Sequence, residues 1–237
     1  MEEILAKEME IALQYCVACG SGHFGAVDVL WRDLIDAWQL SHEEINYINR
    51  QQGIFCQKCG NNLRAMGLAK AILCSYSAHR TLVEFCNSSA ELHVLEINKA
   101  GNLTQFLQKL PNHKLIEYPQ FDMTNLDIES EKFDLVIHSD TLEHVPFPER
   151  ALSECRRVLR PSGLCIFTVP IIVGRMTRSR TGLAPSYHGQ SGVPADDQVV
   201  CTEFGADVWQ TVLKAGFCSC EVFSFEYPAA LVLIARK

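Results

Sequence analysis

The stretch FDMTNLDIESEKFDLVIHSDTLEHVPFPERALSECRRVLRPSGLCIFTVP, residues 121–170, decides the fold of this chain. Within it, FDLVIHSD (133–140) is an apolar run that ends in polar residues, the pattern of a buried strand with a chemically active end. PERALSECRRVLR (148–160) predicts a helix, because Pro148 suits a first turn and PSG at 161–163 stops it. LCIFTVP (164–170) is the next strand. A strand, a helix and a strand in this order imply a right-handed crossover and parallel pairing. Ligands of such sheets bind at the carboxyl ends of the strands. That rule directs attention to Ser139, Asp140 and the loop after Pro170.

The alternation continues on both sides. Towards the N-terminus lie the strand ELHVLEI (91–97), the helix NLTQFLQKL (102–110), ended by Pro111, and the strand HKLIEY (113–118). Towards the C-terminus, FGADVWQTVLKAGF (204–217) predicts a helix, and CEVFSFEY and ALVLIARK close the chain as two strands. The expected fold class is α/β, a mostly parallel sheet preceded by a small N-terminal helical domain.

The 121–170 segment resembles, over its whole length, the core of class I S-adenosylmethionine-dependent methyltransferases. The pieces that carry the resemblance are Asp122 before a short loop, FDLVIHSD, LEHV (142–145), a helix ending RRVLRPSG and the strand LCIFTVP. The resemblance extends over about residues 91–237. It implies a Rossmann-like sheet with its last strand reversed, and S-adenosylmethionine as cofactor.

It also implies site residues. Glu96 becomes the acid of the first strand, with Gly101 in the turn after it. Glu117, 21 residues further on, becomes the ribose-binding acid. Asp122 meets the adenine amino group with Met123 against the ring, and Ser139 and Asp140 lie under the sulfonium and the amino-acid tail. There are two departures. HVLEINKAGNL (93–103) keeps one glycine where the family usually has two or three, and only PQF separates Tyr118 from Asp122 where a helix and a strand start are usual.

Methyl transfer is an in-line displacement, so alignment supplies much of the acceleration. A base is needed only where the acceptor must lose a proton. His144 in LEHV and His188 in PSYHG are the candidates. Residues 171–197 follow the fifth strand, where this fold commonly places acceptor-binding loops. Tyr187, Arg175 and Arg178 are the acceptor-binding candidates, the arginines suiting a phosphate or carboxylate.

Residues 1–62 differ in composition. CVACG (Cys16, Cys19) and CQKCG (Cys56, Cys59) are two matched pairs, each followed by a glycine that permits a tight turn. Two C-x-x-C pairs make a tetrahedral four-thiolate zinc site, structural because no position stays open. The competing readings are a redox dithiol or two disulfides. The 36 residues between the pairs exceed a simple ribbon, so the intervening helices pack around the metal. SHEE (41–44) is a capping box that starts one of them. The expected organisation is a zinc-binding module at 1–62, a helical linker at 63–90 and a methyltransferase domain at 91–237.

The formal charge of −7 argues against a broad nucleic-acid footprint, which draws on clustered Lys and Arg. No apolar run reaches the ~20 residues that span a bilayer. The charged start MEEILAKEME lacks the order of a secretory signal, which predicts a cytoplasmic protein. The expected partner is a small-molecule acceptor, with a hydroxyl or amine of a sugar-like or secondary metabolite methylated. Two other readings are an RNA methyltransferase with a zinc head and a non-catalytic binding protein on the same fold.

Overall fold

Two short strands tie the cysteine pairs together before the main sheet begins. A computed structural model of the protein describes residues 13–76, 79–89, 91–187 and 198–237. β1 (Phe24–Ala26) pairs antiparallel with β2 (Ile54–Cys56), with Phe24 opposite Cys56. Between them run α1 (Arg32–Trp38) and α2 (His42–Gly53). The capping box at the head of α2 forms: Glu44 N–H donates to Ser41 Oγ at 3.3 Å, and Ser41 N–H donates to the Glu44 carboxylate at 2.7 Å. The 63–85 pattern resolves into α3 (Leu63–Tyr76) and α4 (Leu82–Ser88). Thr81 and Glu84 form a second capping box at the start of α4.

The main sheet holds β3 (Val94–Ile97), β4 (His113–Ile116), β5 (Phe133–Ser139), β6 (Leu159–Thr168), β10 (Ser219–Phe225) and β11 (Ala230–Arg236). Its order is β10-β11-β6-β5-β3-β4. β3 is parallel to both β4 and β5, and β5 is parallel to β6. β11 runs antiparallel to β6 and to β10, so the last strand is the reversed one. The sheet is Rossmann-like, and the chain reverses its direction of winding between β3 and β5.

Both faces of the sheet are covered, as a largely parallel sheet requires. One core cluster joins Cys16, Val17, Ile54 and Cys56 to Leu63, Met66, Phe85, Val94, Ile137 and Ile166. The residues before 62 therefore share one core with α3, α4 and the sheet. The second cluster lies under α6 (Pro148–Val158) and α7 (Trp209–Lys214), and contains Leu152, Cys155, Phe167 and Val212.

Some elements differ from the sequence reading. The expected helix at 204–217 is reduced to α7, and Thr202–Gly205 form a strand, β9, instead. β9 lies between β7 (Ile171–Ile172) and β8 (Arg178–Ser179) in a small second sheet. The cause is backbone proximity: a Cβ at Gly205 would stand 2.1 Å from the carbonyl oxygen of Arg175, so only glycine lets the two segments touch. The helix expected at 102–110 is a 3-10 turn at Gly101–Leu103 followed by α5 (Thr104–Leu107). α6 ends at Val158, two residues early, because Leu159 already pairs with Phe133. β4 is the sheet edge, and the short PQF connection leads into turns rather than a helix.

Candidate cofactor pocket and cysteine cluster

A cavity of about 1010 Å³ opens where β3, β4 and β5 end, on the edge that the winding reversal predicts. Ile97, Asn98, Glu117, Asp122, Met123, Asp140, Glu143 and His144 line its floor. Trp31, Leu34, Trp38, Leu40 and Ile48, from α1, α2 and their flanks, line its roof.

At the first strand end, Glu96 is fully buried and does not line the cavity. Its Oε1 accepts from Ala100 N–H at 2.8 Å and Thr104 Oγ1 at 2.5 Å, and its Oε2 lies 2.7 Å from His113 Nε2. The carboxylate thus folds the loop around itself. Gly101, at φ +57, turns the chain into its helix and is likewise absent from the lining. Asn98 takes the left-handed backbone that a glycine would otherwise supply, at φ 54. Its Oδ1 accepts from Tyr118 N–H at 3.0 Å, and its amide reaches Thr141 Oγ1 at 3.4 Å. One side chain thereby ties together the loops after β3, β4 and β5.

Glu117 stands exposed at the end of β4, with Lys99 Nζ at 3.6 Å. Asp122 holds its own turn, its Oδ1 accepting from the N–H and the hydroxyl of Thr124, both at 2.8 Å. Met123 is buried beside it at 4% exposure. Ser139 hydrogen-bonds Thr168 at 2.8 Å and lies outside the lining. Asp140, the next residue, opens into the cavity and pairs with Arg64 Nη1 at 2.5 Å. The cavity wall raises the Asp140 carboxyl and Arg64 opposes that shift.

Arg64 is the residue that sequence reasoning missed. It sits in the first turn of α3, 5% exposed and lining the cavity. It comes from outside the 91–237 segment, and an arginine in a helical pattern reads as a solvated face. The only available signal was its position five residues after Cys59, where the cysteine turn fixes the start of the helix.

His144 lies in the 3-10 turn Leu142–His144, and its Nδ1 is 3.0 Å from the carbonyl oxygen of Val199. A carbonyl oxygen can only accept, so Nδ1 carries a proton and the contact fixes the orientation of the ring. Glu143 Oε1 is 3.6 Å from Nε2. Burial, and then the Asp140 charge, push the Glu143 carboxyl well above its usual range.

The other expected acceptor contacts are engaged elsewhere. Arg175 donates to both carboxylate oxygens of Glu44, at 2.8 and 3.0 Å, and to the carbonyls of Trp38 and Gln39. It clamps the roof helices to the loop after β7. Arg178 pairs with Glu203 at 2.6 Å. Tyr187 is half-buried, bridges to Val199 and does not line the cavity. His188 lies outside the described residues.

Just before the start of α3, the sulfurs of Cys16, Cys19, Cys56 and Cys59 all lie within 4.8 Å of one another. Cys16 and Cys59 are 3.7 Å apart, and Cys19 and Cys56 are 3.6 Å apart. A tetrahedral ion about 2.3 Å from each sulfur requires edges of about 3.8 Å, so the set fits such an ion. Each turn closes on itself, Gly20 N–H donating to the Cys16 carbonyl and Gly60 N–H to the Cys56 carbonyl. Asn61 donates to Cys59 Sγ at 3.3 Å. The Cys16 thiol, and then Asn61, pull the Cys59 thiol down to about 4.

Residues 74–167 match the model of a methyltransferase-domain family. The ubiquinone biosynthesis O-methyltransferase of Coxiella burnetii is 25% identical over 137 residues, which cover 57% of this chain and 50% of that protein. The same-named protein of Alkalilimnicola ehrlichii is 29% identical over 111 residues, 46% of this chain and 38% of that one. The chain thus spans about half or less of the length of these curated relatives. Among solved structures, a possible histamine N-methyltransferase from Thermotoga maritima is 15% identical, with a TM-score of 0.41, over 73% of this chain and 88% of that one. The family match covers about two fifths of the chain, from the end of α3 to β6. Among the described residues no helix is long and apolar enough to cross a membrane.

Proposed function

We propose that this chain is an S-adenosylmethionine-dependent methyltransferase acting on a small molecule, with a structural zinc at its four cysteines. The cavity floor carries this reading. It offers Glu117 for ribose hydroxyls, Asp122 and Met123 for the adenine, and the Arg64–Asp140 pair for a tail that is itself zwitterionic. When bound, the cofactor supplies an electrophilic methyl group on its sulfonium. The chain's own part is positioning and water exclusion. Met123 and the roof residues Trp31, Leu34 and Ile48 keep the space dry, and Asn98 fixes the loops that frame it.

His144 is the base for an acceptor that must lose a proton, because it lines the cavity beside Asp140 and its Nδ1 contact with the Val199 carbonyl orients the ring. The acceptor is a hydroxyl or amine of a sugar-like or secondary metabolite, met by an apolar roof of Trp31, Leu34, Trp38, Leu40 and Ile48 with the amides of Gln51 and Gln52 among them. The N-terminal module supplies most of the roof, and Arg64 comes from α3 directly after it, so the module belongs to the pocket as well as to the metal.

The test is calorimetric titration with S-adenosylhomocysteine. One equivalent is expected to bind, with affinity about 10-fold or more weaker in Glu117→Ala and in Arg64→Gln. No binding to the native chain would overturn the cofactor assignment. In His144→Gln, affinity should stay within about threefold while turnover of a found acceptor falls about 100-fold. RNA that stabilises the protein while small acceptors do nothing would favour the RNA reading instead.

A further inference from the structure

A second cluster of metal-ligating side chains lies inside the core, away from both the cavity and the four cysteines. His138 on β5, Cys155 on α6 and Cys165 on β6 are each fully buried, at 0% exposure. Their ligand atoms all lie within 4.8 Å of one another. The fold brings them together by register. Val136 pairs with Cys165 and His138 with Phe167, so His138 and Cys165 stand on the same face of adjacent strands. α6 packs over that face and brings Cys155 down onto them.

The histidine is what makes the cluster unusual. Its ring stacks on Phe167, with centroids 4.4 Å apart. Neither Nδ1 nor Nε2 has a hydrogen-bond partner among the described residues. Burying a polar group without a partner is costly, and a buried imidazole normally finds a donor or an acceptor. Burial alone pushes the His138 ring down to about 3, so it is neutral and holds a lone pair ready for a ligand bond. Burial, and then the neighbouring Cys155, push Cys165 far above the usual thiol range. Nothing but a cation would make that sulfur a thiolate.

We propose that His138, Cys155 and Cys165 form a second, buried site for a thiophilic closed-shell ion, Zn(II) or Cu(I). Two thiolates and one imidazole are soft ligands of the kind both ions select. Around an ion about 2.3 Å from sulfur and about 2.0 Å from nitrogen, planar ligand atoms stand about 4 Å apart. Small side-chain rotations within the 4.8 Å bound achieve that. Loading displaces two thiol protons to solvent and leaves the imidazole neutral. With Zn(II) the site has zero net charge, and with Cu(I) it carries −1, so an apolar core accepts the zinc form at lower cost. The ion satisfies a ring nitrogen that the protein leaves unpartnered. With no opening to solvent, the ion enters before α6 closes on the sheet, during folding.

The experiment refolds the full chain under reducing conditions with Zn(II), and separately with Cu(I), and counts bound metal by mass spectrometry. The native chain should hold one equivalent more than Cys155→Ala/Cys165→Ala with at least one of the ions. The ion that gives the difference is the resident one. Equal metal content in the two chains with both ions overturns the proposal. His138→Leu, which leaves the cysteines intact, gives a second reading. If the site binds metal, it lowers the melting temperature of the metal-refolded protein. If the imidazole is merely an unpartnered buried group, the substitution leaves that temperature unchanged or raises it, and the proposal fails.

Discussion

Asn98 stands where a cofactor loop would ordinarily place glycine, and it does more than tolerate the geometry. Asparagine is among the few L-residues that visit the left-handed region without large strain. Its amide group then bonds to the two neighbouring loops. Asn98→Gly should keep the backbone and lose only those bonds. Asn98→Val should lose the bonds and add a strain of about 1–2 kcal/mol. Urea denaturation is the measurement, and equal stability of the two variants would show that the φ of 54 is not what selects the residue. Glu96 carries a related lesson. The sequence marks it as a strand-end acid, but only the fold shows that its carboxylate is consumed by Ala100, Thr104 and His113. Arg175 likewise looks like an anion-binding residue in sequence, because nothing local reveals that Glu44, 131 positions earlier, is its partner.

At the scale of elements, the roof is held by one polyvalent contact. The Glu44 carboxylate closes the capping box of α2 and also receives the Arg175 guanidinium from the loop after β7. Trp38, at the end of α1, donates its indole N–H to Ser186 at 2.8 Å and so fastens the next loop, after β8. Arg175 holds the Glu44 carboxyl below its ordinary value of 4.5. A carboxyl depressed in the folded state contributes stability at pH values above that ordinary value. The contribution is lost as pH falls through the folded pKa. Glu44→Gln should therefore be less stable than the native chain at pH 7. The gap between them should narrow as pH falls below 4.5 and native Glu44 protonates. Denaturation followed by tryptophan fluorescence at both pH values checks this, and a gap independent of pH would mean that the pair contributes nothing by charge. The capping box itself was legible in SHEE. The short α7 was not, because helix periodicity over 204–217 cannot reveal that the backbone at Gly205 touches another strand.

Across the whole molecule, the cysteine module and the sheet share one buried core and should unfold together. Cys16, Val17, Ile54 and Cys56 belong to the same buried cluster as α3 and the face of β5 and β6. A structural zinc contributes on the order of 10 kcal/mol, comparable to the entire stability of a domain, about 5–15 kcal/mol. Chelation should therefore lower the melting temperature of the whole chain in one step. Far-ultraviolet circular dichroism and tryptophan fluorescence should report coincident transitions. A separate early transition of the tryptophans, with the sheet signal unmoved, would show that residues 13–62 form an independent unit.

The family resemblance implied the reversed last strand, while the residues themselves showed the alternation of strands and helices around FDLVIHSD, the two matched C-x-x-C turns and the end of the sheet where a ligand would sit. These follow from local apolar periodicity, turn residues and fixed spacings, all of which act over a few neighbours. Tertiary packing alone put α1 and α2 over the cavity and brought Arg64 into it from the first turn of α3. The same holds for Glu96, turned inward, and for His138, brought against Cys155 and Cys165. Each of these rests on contacts between residues far apart in sequence. Such contacts form when apolar faces pack, and packing complementarity leaves no periodic trace along the chain.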